Sequence, residues 1–63
     1  MSKARRAILN NVNSILNAVD ATKDMVSMSD LGEDKKAYFK ADLATVEYRV
    51  NIMKGLLDSK EEE

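Results

Sequence analysis

Apolar residues recur in two blocks of the chain, at alternating steps of four and three residues. The first block consists of Ile8, Val12, Ile15, Val19, Thr22 and Val26, and the second of Phe39, Leu43, Val46, Val50, Met53 and Leu57. Such steps place side chains along one side of a helix, and their heptad repetition is typical of a seam between packed helices. No segment alternates between apolar and polar residues as a β-strand would. The pattern therefore predicts an all-α protein with helices over about residues 3–29 and 33–58.

The segment between the two blocks, SMSDLGEDK, carries signals for the end of one helix and the start of another. Asp30 and Glu33 have the spacing of a capping box, and Gly32 would suit a left-handed end of the first helix. Glu33 and Asp34 are favourable at a helix N-terminus, where the macrodipole attracts negative charge. We therefore expect a turn at this segment.

The numbering of the two blocks predicts how the helices face each other. If the chain folds back on itself, facing residues have position numbers with a constant sum, and every layer gives 65, as Val19 with Val46 does. The same register places Lys23 opposite Asp42. We predict a single domain over residues 1–63, an antiparallel two-helix hairpin with a frayed acidic tail at 59–63.

Length and composition predict that one hairpin is incomplete. A chain of 63 residues buries little surface and usually needs disulfides, a structural metal or oligomerisation. With no Cys and no His in the sequence, disulfides and the common zinc sites are excluded, so oligomerisation remains. The expected assembly is a homodimeric four-helix bundle or a higher homo-oligomer.

The second helix carries a further apolar stripe, on the side roughly opposite its seam. Together with leucines of both helices, this stripe would form a band that leads away from the seam. The band consists of Leu9, Leu16, Tyr38, Thr45, Tyr48, Ile52 and Leu56. We interpret the band as an oligomer interface, and the alternative is a surface that binds a different protein by helix packing.

A basic cluster at the N-terminus offers an alternative function. Lys3, Arg5 and Arg6 could contact RNA or DNA phosphates, and a dimer would present two such clusters. In an antiparallel hairpin, however, the acidic tail would lie beside the cluster and offset most of its charge. Nucleic acid is therefore the disfavoured partner.

Three asparagines on the first helix offer a second alternative. Asn10, Asn13 and Asn17 recur at helical steps, and side-chain amides can hydrogen-bond a nucleotide-like ligand held between protomers. The protein would then act as a ligand sponge. The simpler interpretation is a solvated outer ridge.

The remaining composition excludes several classes of function. Ten basic and eleven acidic residues leave a formal net charge of −1, so no overall field draws the chain to nucleic acid or membrane. Without His or Cys the commonest bases and nucleophiles are missing, and we predict no enzyme, catalytic residue, metal site or cofactor. No segment suits a signal peptide or a membrane span, and the lack of Cys fits the cytoplasm.

These observations together predict a non-enzymatic, self-associating hairpin protein of the cytoplasm. We expect it to act by binding another macromolecule, most simply a protein. It would then be a small interaction module, an inhibitor or a regulator.

Overall fold

The computed structural model describes residues 2–58 and shows two helices that pack against each other as a hairpin. Helix α1 spans Lys3–Met28 and helix α2 spans Glu33–Asp58. The predicted all-α hairpin is confirmed, and its helix boundaries agree with the prediction to within one residue. The predicted frayed tail at 59–63 lies outside the described residues.

Helix α1 begins where a serine satisfies its first free N–H groups. The Ser2 hydroxyl oxygen accepts a hydrogen bond from the Arg5 N–H at 3.0 Å, and the Ser2 carbonyl oxygen accepts one from the Arg6 N–H at 3.0 Å. A serine N-cap of this kind stabilises a helix by about 1 kcal/mol. The first turn of α1 contains no acidic residue, so Ser2 is the feature that fixes this helix end.

The turn is built on the hydroxyl of Ser29. This hydroxyl donates to the Val26 carbonyl oxygen at 2.7 Å and accepts from the Leu31 N–H at 3.3 Å. The Gly32 carbonyl oxygen then accepts from the Lys36 N–H at 3.0 Å, which is the first hydrogen bond of α2. The chain thus leaves one helix and enters the next within 29–32.

Two details of the predicted turn are wrong. Gly32 has no positive φ, because a serine hydroxyl already terminates α1. The capping box of Asp30 and Glu33 does not form, because Glu33 is the first residue of α2 rather than its third. The Lys36 ammonium contributes instead, since it donates to the Ser27 carbonyl oxygen at 3.1 Å, at the end of α1 where a cation is favoured.

The buried core is one line of valines. Within residues 2–58 the buried hydrophobic side chains are Val12, Val19 and Val26 on α1 and Val50 on α2. Val12 is the most enclosed, with 2% of its surface exposed. The valines of α1 are seven residues apart, so they form one line along the helix that faces α2.

Around this central line, α1 is rotated relative to the predicted seam. Leu9 and Leu16 are half-buried, whereas Ile8 and Ile15 are 45% and 44% exposed. The contact with α2 therefore partly buries the leucines on one side of the stripe and leaves the isoleucines on the other side exposed.

Helix α2 shows the same rotation. Glu47 and Lys54 are half-buried, whereas Val46 and Met53, which directly precede them, are exposed. A heptad stripe has a flank on each side of its central line, and a single partner helix covers only one of them. The predicted seam is correct along its centre and wrong along one flank. The residues predicted for the seam but found exposed are Ile8, Ile15, Thr22, Phe39, Val46 and Met53.

The hairpin is a layer one helix thick. Its principal dimensions are 49 × 16 × 10 Å, and the smallest of them is close to the diameter of a helix. Each residue beside the central line therefore borders one of the two broad faces of the layer. The two faces differ in chemistry.

Candidate interaction surfaces

One broad face of the layer is apolar and open. A cavity of about 250 Å³ lies between the helices on this face, lined by Thr22, Val26, Phe39, Asp42 and Leu43. Because Thr22 and Phe39 line the same cavity, the exposed seam residues of α1 and those of α2 lie on one side of the hairpin. We call this side the open face and define it by Ile8, Ile15, Thr22, Phe39, Val46 and Met53.

The opposite side of the hairpin has a charged edge. The Lys23 ammonium donates to Glu47 Oε1 at 2.5 Å, and both side chains are half-buried. This hydrogen bond raises the pKa of Lys23, because it favours the charged ammonium. The predicted pairing of Lys23 with Asp42 is wrong, because Asp42 lines the cavity on the open face instead.

A row of residues on each helix borders the open face. Each of these residues directly precedes a valine of the central line or a half-buried residue at heptad spacing from that line, which places it on the outward flank of the open face. The row of α1 consists of Ala4, Asn11, Ala18 and Met25, and the row of α2 consists of Lys35, Asp42, Arg49 and Leu56. The α1 row carries no charge. In the α2 row Asp42 and Arg49 are exposed, and within residues 2–58 neither makes an ion pair.

A second apolar surface lies on the side of α2 that points away from α1. We call it the outer face of α2 and define it by Tyr38, Ala41, Thr45, Tyr48 and Ile52. Tyr48 is 67% exposed and Ile52 is 48% exposed. The Thr45 hydroxyl donates to the Ala41 carbonyl oxygen at 3.2 Å, so it is satisfied within the helix. This surface therefore presents apolar groups with two tyrosine hydroxyls.

The structure divides the predicted interface band into two parts. Leu9 and Leu16 are half-buried on the charged-edge flank of α1. The exposed part consists of Tyr38, Thr45, Tyr48, Ile52 and Leu56, all on α2. A partner that contacts the exposed part would therefore meet α2 alone, and the role of the band as an interface stays a prediction.

The predicted basic cluster is only partly at the surface. Lys3 and Arg6 are exposed, whereas Arg5 is half-buried. Arg5 precedes Val12 by seven residues, so it lies on the side of α1 that faces α2. Nucleic-acid binding by these residues stays a prediction.

The three asparagines lie together on α1. Asn10, Asn13 and Asn17 are all exposed, and none of them lines the cavity on the open face. Binding of a polar ligand at these amides stays a prediction.

Three further findings concern metal binding, membrane spanning and similarity to known proteins. Within residues 2–58, no group of three or more acidic side chains is arranged to hold a metal ion. Neither α1 nor α2 is long and apolar enough to cross a membrane. Comparison of the chain with protein-family models, with curated proteins and with solved structures gives no match.

The sequence pattern contained a signal for the open face that the seam prediction did not use. Lys23 and Glu47 each directly follow a residue assigned to the seam, on the same flank of the two heptad stripes. A charged flank is the one that can reach solvent at the edge of a two-helix contact. The opposite flank, which includes Val46 and Phe39, is apolar except for Thr22, so it is the flank that a second partner helix would cover.

Proposed function

We propose that the chain is a non-enzymatic interaction module of the cytoplasm that self-associates and inhibits or regulates another protein by binding it. One observation carries the proposal: eleven large apolar side chains are exposed among residues 2–58, against four that are buried. Single apolar residues are common on protein surfaces, but contiguous apolar patches mark interaction sites. The absence of His and Cys supports the non-enzymatic part and a reducing compartment.

Eight of the eleven exposed apolar residues fall on two surfaces that point in different directions. The open face lies over the contact between the helices, and the outer face of α2 points away from α1. A two-layer architecture is the smallest that encloses a core, so the open face suits self-association. The outer face of α2 then remains for the target protein.

The outer face of α2 has the spacing used in helix-in-groove recognition. Thr45, Tyr48 and Ile52 follow one another at steps of three and four, which places them on one line of the helix. Tyrosine combines an apolar ring with a hydroxyl group, and it is enriched among the residues that dominate binding energies. We expect the target to present an apolar groove that takes Tyr48 and Ile52.

Capture of the target from the native cell tests this proposal when two matched variants are compared. Ile52→Asp places a carboxylate on the outer face of α2, and Asn17→Asp places one on the outer side of α1. The target captured by the wild type and by Asn17→Asp should be lost with Ile52→Asp. For the purified pair, the dissociation constant should rise at least about thirtyfold, as expected for a residue at the centre of an interface.

The oligomeric state of Ile52→Asp is the control. Its helix content and molar mass should match the wild type, because the outer face of α2 takes part in neither the hairpin contact nor the open face. Equal capture by all three proteins would contradict the proposal. Dissociation of the oligomer by Ile52→Asp would assign the outer face of α2 to self-association instead.

A further inference from the structure

We propose that a second copy of the chain covers the open face. A twofold axis that runs across the helices and passes close to Val46 relates the copies, and Asp42 of each copy pairs with Arg49 of the other. This inference rests on the self-association proposed above. It names the surface, the symmetry and the ion pairs that would produce it.

The chain exposes more surface than a compact monomer of its mass. The accessible surface is 4887 Å², whereas a compact monomer of 7.1 kDa exposes about 4,100 Å². The excess of roughly 800 Å² follows from the elongated, flat shape of the hairpin, 49 × 16 × 10 Å. A second copy stacked on the open face would make the assembly more compact and remove apolar surface from water.

A second copy would also complete the core. The central valines are buried, but the open-face residues beside them, such as Ile15 and Val46, are more than 40% exposed. When two hairpins stack with their open faces in contact, the central valines and the open-face residues are buried together, as in the core of a four-helix bundle. The cavity beside Thr22 and Phe39 would receive apolar side chains of the second copy, which gives the interior its normal packing density.

Two symmetric arrangements of the layers exist, and charge decides between them. An axis parallel to the helices sets α1 of one copy against α2 of the other. Asp42 and Arg49 would then face the uncharged row of α1, and their desolvation without a partner is unfavourable. An axis across the helices sets α2 antiparallel against α2, so that the α2 rows meet: Asp42 faces Arg49 near the middle of the contact, and Lys35 faces Leu56 at its ends.

The residue numbers of α2 agree with this second arrangement. Across an antiparallel contact, facing residues have a constant sum, so a contact of Asp42 with Arg49 of the second copy occurs twice by symmetry. The midpoint of these two positions lies beside Val46, which then meets Val46 of the second copy. Phe39 and Met53, whose numbers sum to 92 rather than the 91 of Asp42 and Arg49, lie within about one residue of this register, and the flexible Met53 side chain can fill the gap between them.

The contact between α1 and α2 inside the hairpin also has an ion pair at its edge. Its edge carries the ion pair of Lys23 and Glu47, which occupy equivalent flanks of two antiparallel helices. Asp42 and Arg49 occupy the other flank of α2, which a second partner helix would border. Near the twofold axis, the α1 row that borders the open face contains Ala18. Because its side chain is small, the α1 helices of the two copies can approach each other closely.

Charge reversal tests the twofold arrangement. Asp42→Arg places like charges together at both symmetric contacts of a homodimer, and Arg49→Asp does the same with the opposite sign. Each single variant should dimerise about tenfold more weakly or worse, as judged by sedimentation equilibrium at low salt. Asp24→Arg makes the same change of charge on the outer side of α1 and should leave the dissociation constant unchanged.

Mixing the two single variants shows whether Asp42 and Arg49 pair between copies of the chain. A mixture of Asp42→Arg and Arg49→Asp chains pairs opposite charges at both contacts, so it should form a heterodimer with about the wild-type affinity. The double variant D42R/R49D should recover likewise. If a single variant does not fold alone, recovery of helix content on mixing provides the same readout.

The possible failures are distinguishable. If the wild type dimerises but the single variants dimerise equally well, or if mixing restores nothing, the open-face twofold is wrong while the proposed function stands. A wild type that stays monomeric throughout the micromolar range overturns both this inference and the self-association within the proposed function. Target capture with Ile52→Asp would then test the remaining part on its own.

Discussion

Helices α1 and α2 both contain 26 residues and pack against each other, yet they distribute their apolar residues differently. Helix α1 is strongly amphipathic, and its outer side carries asparagines such as Asn13. Helix α2 is much less amphipathic, because it carries apolar residues such as Val46 and Tyr48 on several sides. A helix with one apolar stripe can be covered from one side, whereas a helix that is apolar on several sides needs partners in more than one direction.

The two helices also differ at their N-terminal ends. Helix α1 begins with a side-chain hydrogen bond to Ser2, and its first turn has no acidic residue. Helix α2 begins after Gly32, and its first turn contains Glu33 and Asp34. The first end depends on one hydroxyl group, and the second depends on charge complementary to the helix dipole.

The largest effect is expected at the single line through which α1 packs. Val12→Asp would bury an unpaired carboxylate at the most enclosed position of the chain, with a loss of about 4 kcal/mol or more in the free energy of unfolding. We expect the helical circular dichroism signal to disappear. Asn13→Asp, on the exposed side of α1, should stay within about 0.5 kcal/mol of the wild type. A folded Val12→Asp protein would show that the core lies elsewhere.

Substitutions at the N-terminal ends of the two helices should change the free energy of unfolding by intermediate amounts. Ser2→Ala should lower the free energy of unfolding by about 1 kcal/mol, because it leaves the Arg5 N–H without its partner. Gly32→Ser should raise it by only a few tenths of 1 kcal/mol, roughly the difference between these two caps. A Cβ at Gly32 would lie 3.3 Å from Asp34 Oδ1, so that side chain must move slightly.

Urea unfolding at one fixed protein concentration measures both cap variants, since the stability of an oligomer depends on concentration. Equal stability of Ser2→Ala and the wild type would mean that α1 frays at this end in solution.

Gly55 tests the outer side of α2. It has no positive φ, and a Cβ built on it would meet nothing within 4 Å. Gly55→Ala should therefore stabilise the protein by about 0.5–1 kcal/mol, because alanine loses less conformational entropy in a helix. A lower urea midpoint for this variant would contradict a continuous, uncovered α2 at this position.

The smallest effect concerns pH and the charged edge. Glu47 raises the pKa of Lys23 in the folded protein, so the charged ammonium stabilises the fold below the unfolded pKa of about 10.4. This contribution is lost as the pH rises through the folded pKa. Lys23→Arg keeps its charge over this range.

The melting temperatures of the wild type and Lys23→Arg should therefore run parallel up to about pH 10, and the wild type should fall faster above it. The two proteins differ only at residue 23, so the difference between the curves isolates Lys23. Curves that remain parallel to higher pH would mean that Lys23 and Glu47 do not pair in solution.

The sequence predicted the two helices, the turn and the centre of their contact. Heptad spacing locates the middle of an apolar stripe well, which is why Val12, Val19 and Val50 were assigned correctly. It does not state how many partners the stripe has, so Ile15 was assigned to the hairpin although it is 44% exposed.

Prediction of the candidate surfaces was limited by the same ambiguity. The apolar spacing of Tyr48 and Ile52 on the outer side of α2 was visible in the sequence. The proposed pairing of Asp42 with Arg49 was not inferred from the sequence, because it depends on which flank of the central line is open. The exposure of Ile15 and Val46, together with the position of Asp42 beside the cavity, identifies that flank.

The central claim is that this hairpin is one half of a four-helix bundle. Sedimentation equilibrium of the wild type in the micromolar range, with circular dichroism on the same samples, tests it most directly. We predict a helical species of about 14 kDa, twice the 7.1 kDa of one chain, and a joint loss of helix and dimer on dilution. A fully helical species of 7.1 kDa at every concentration would contradict the claim.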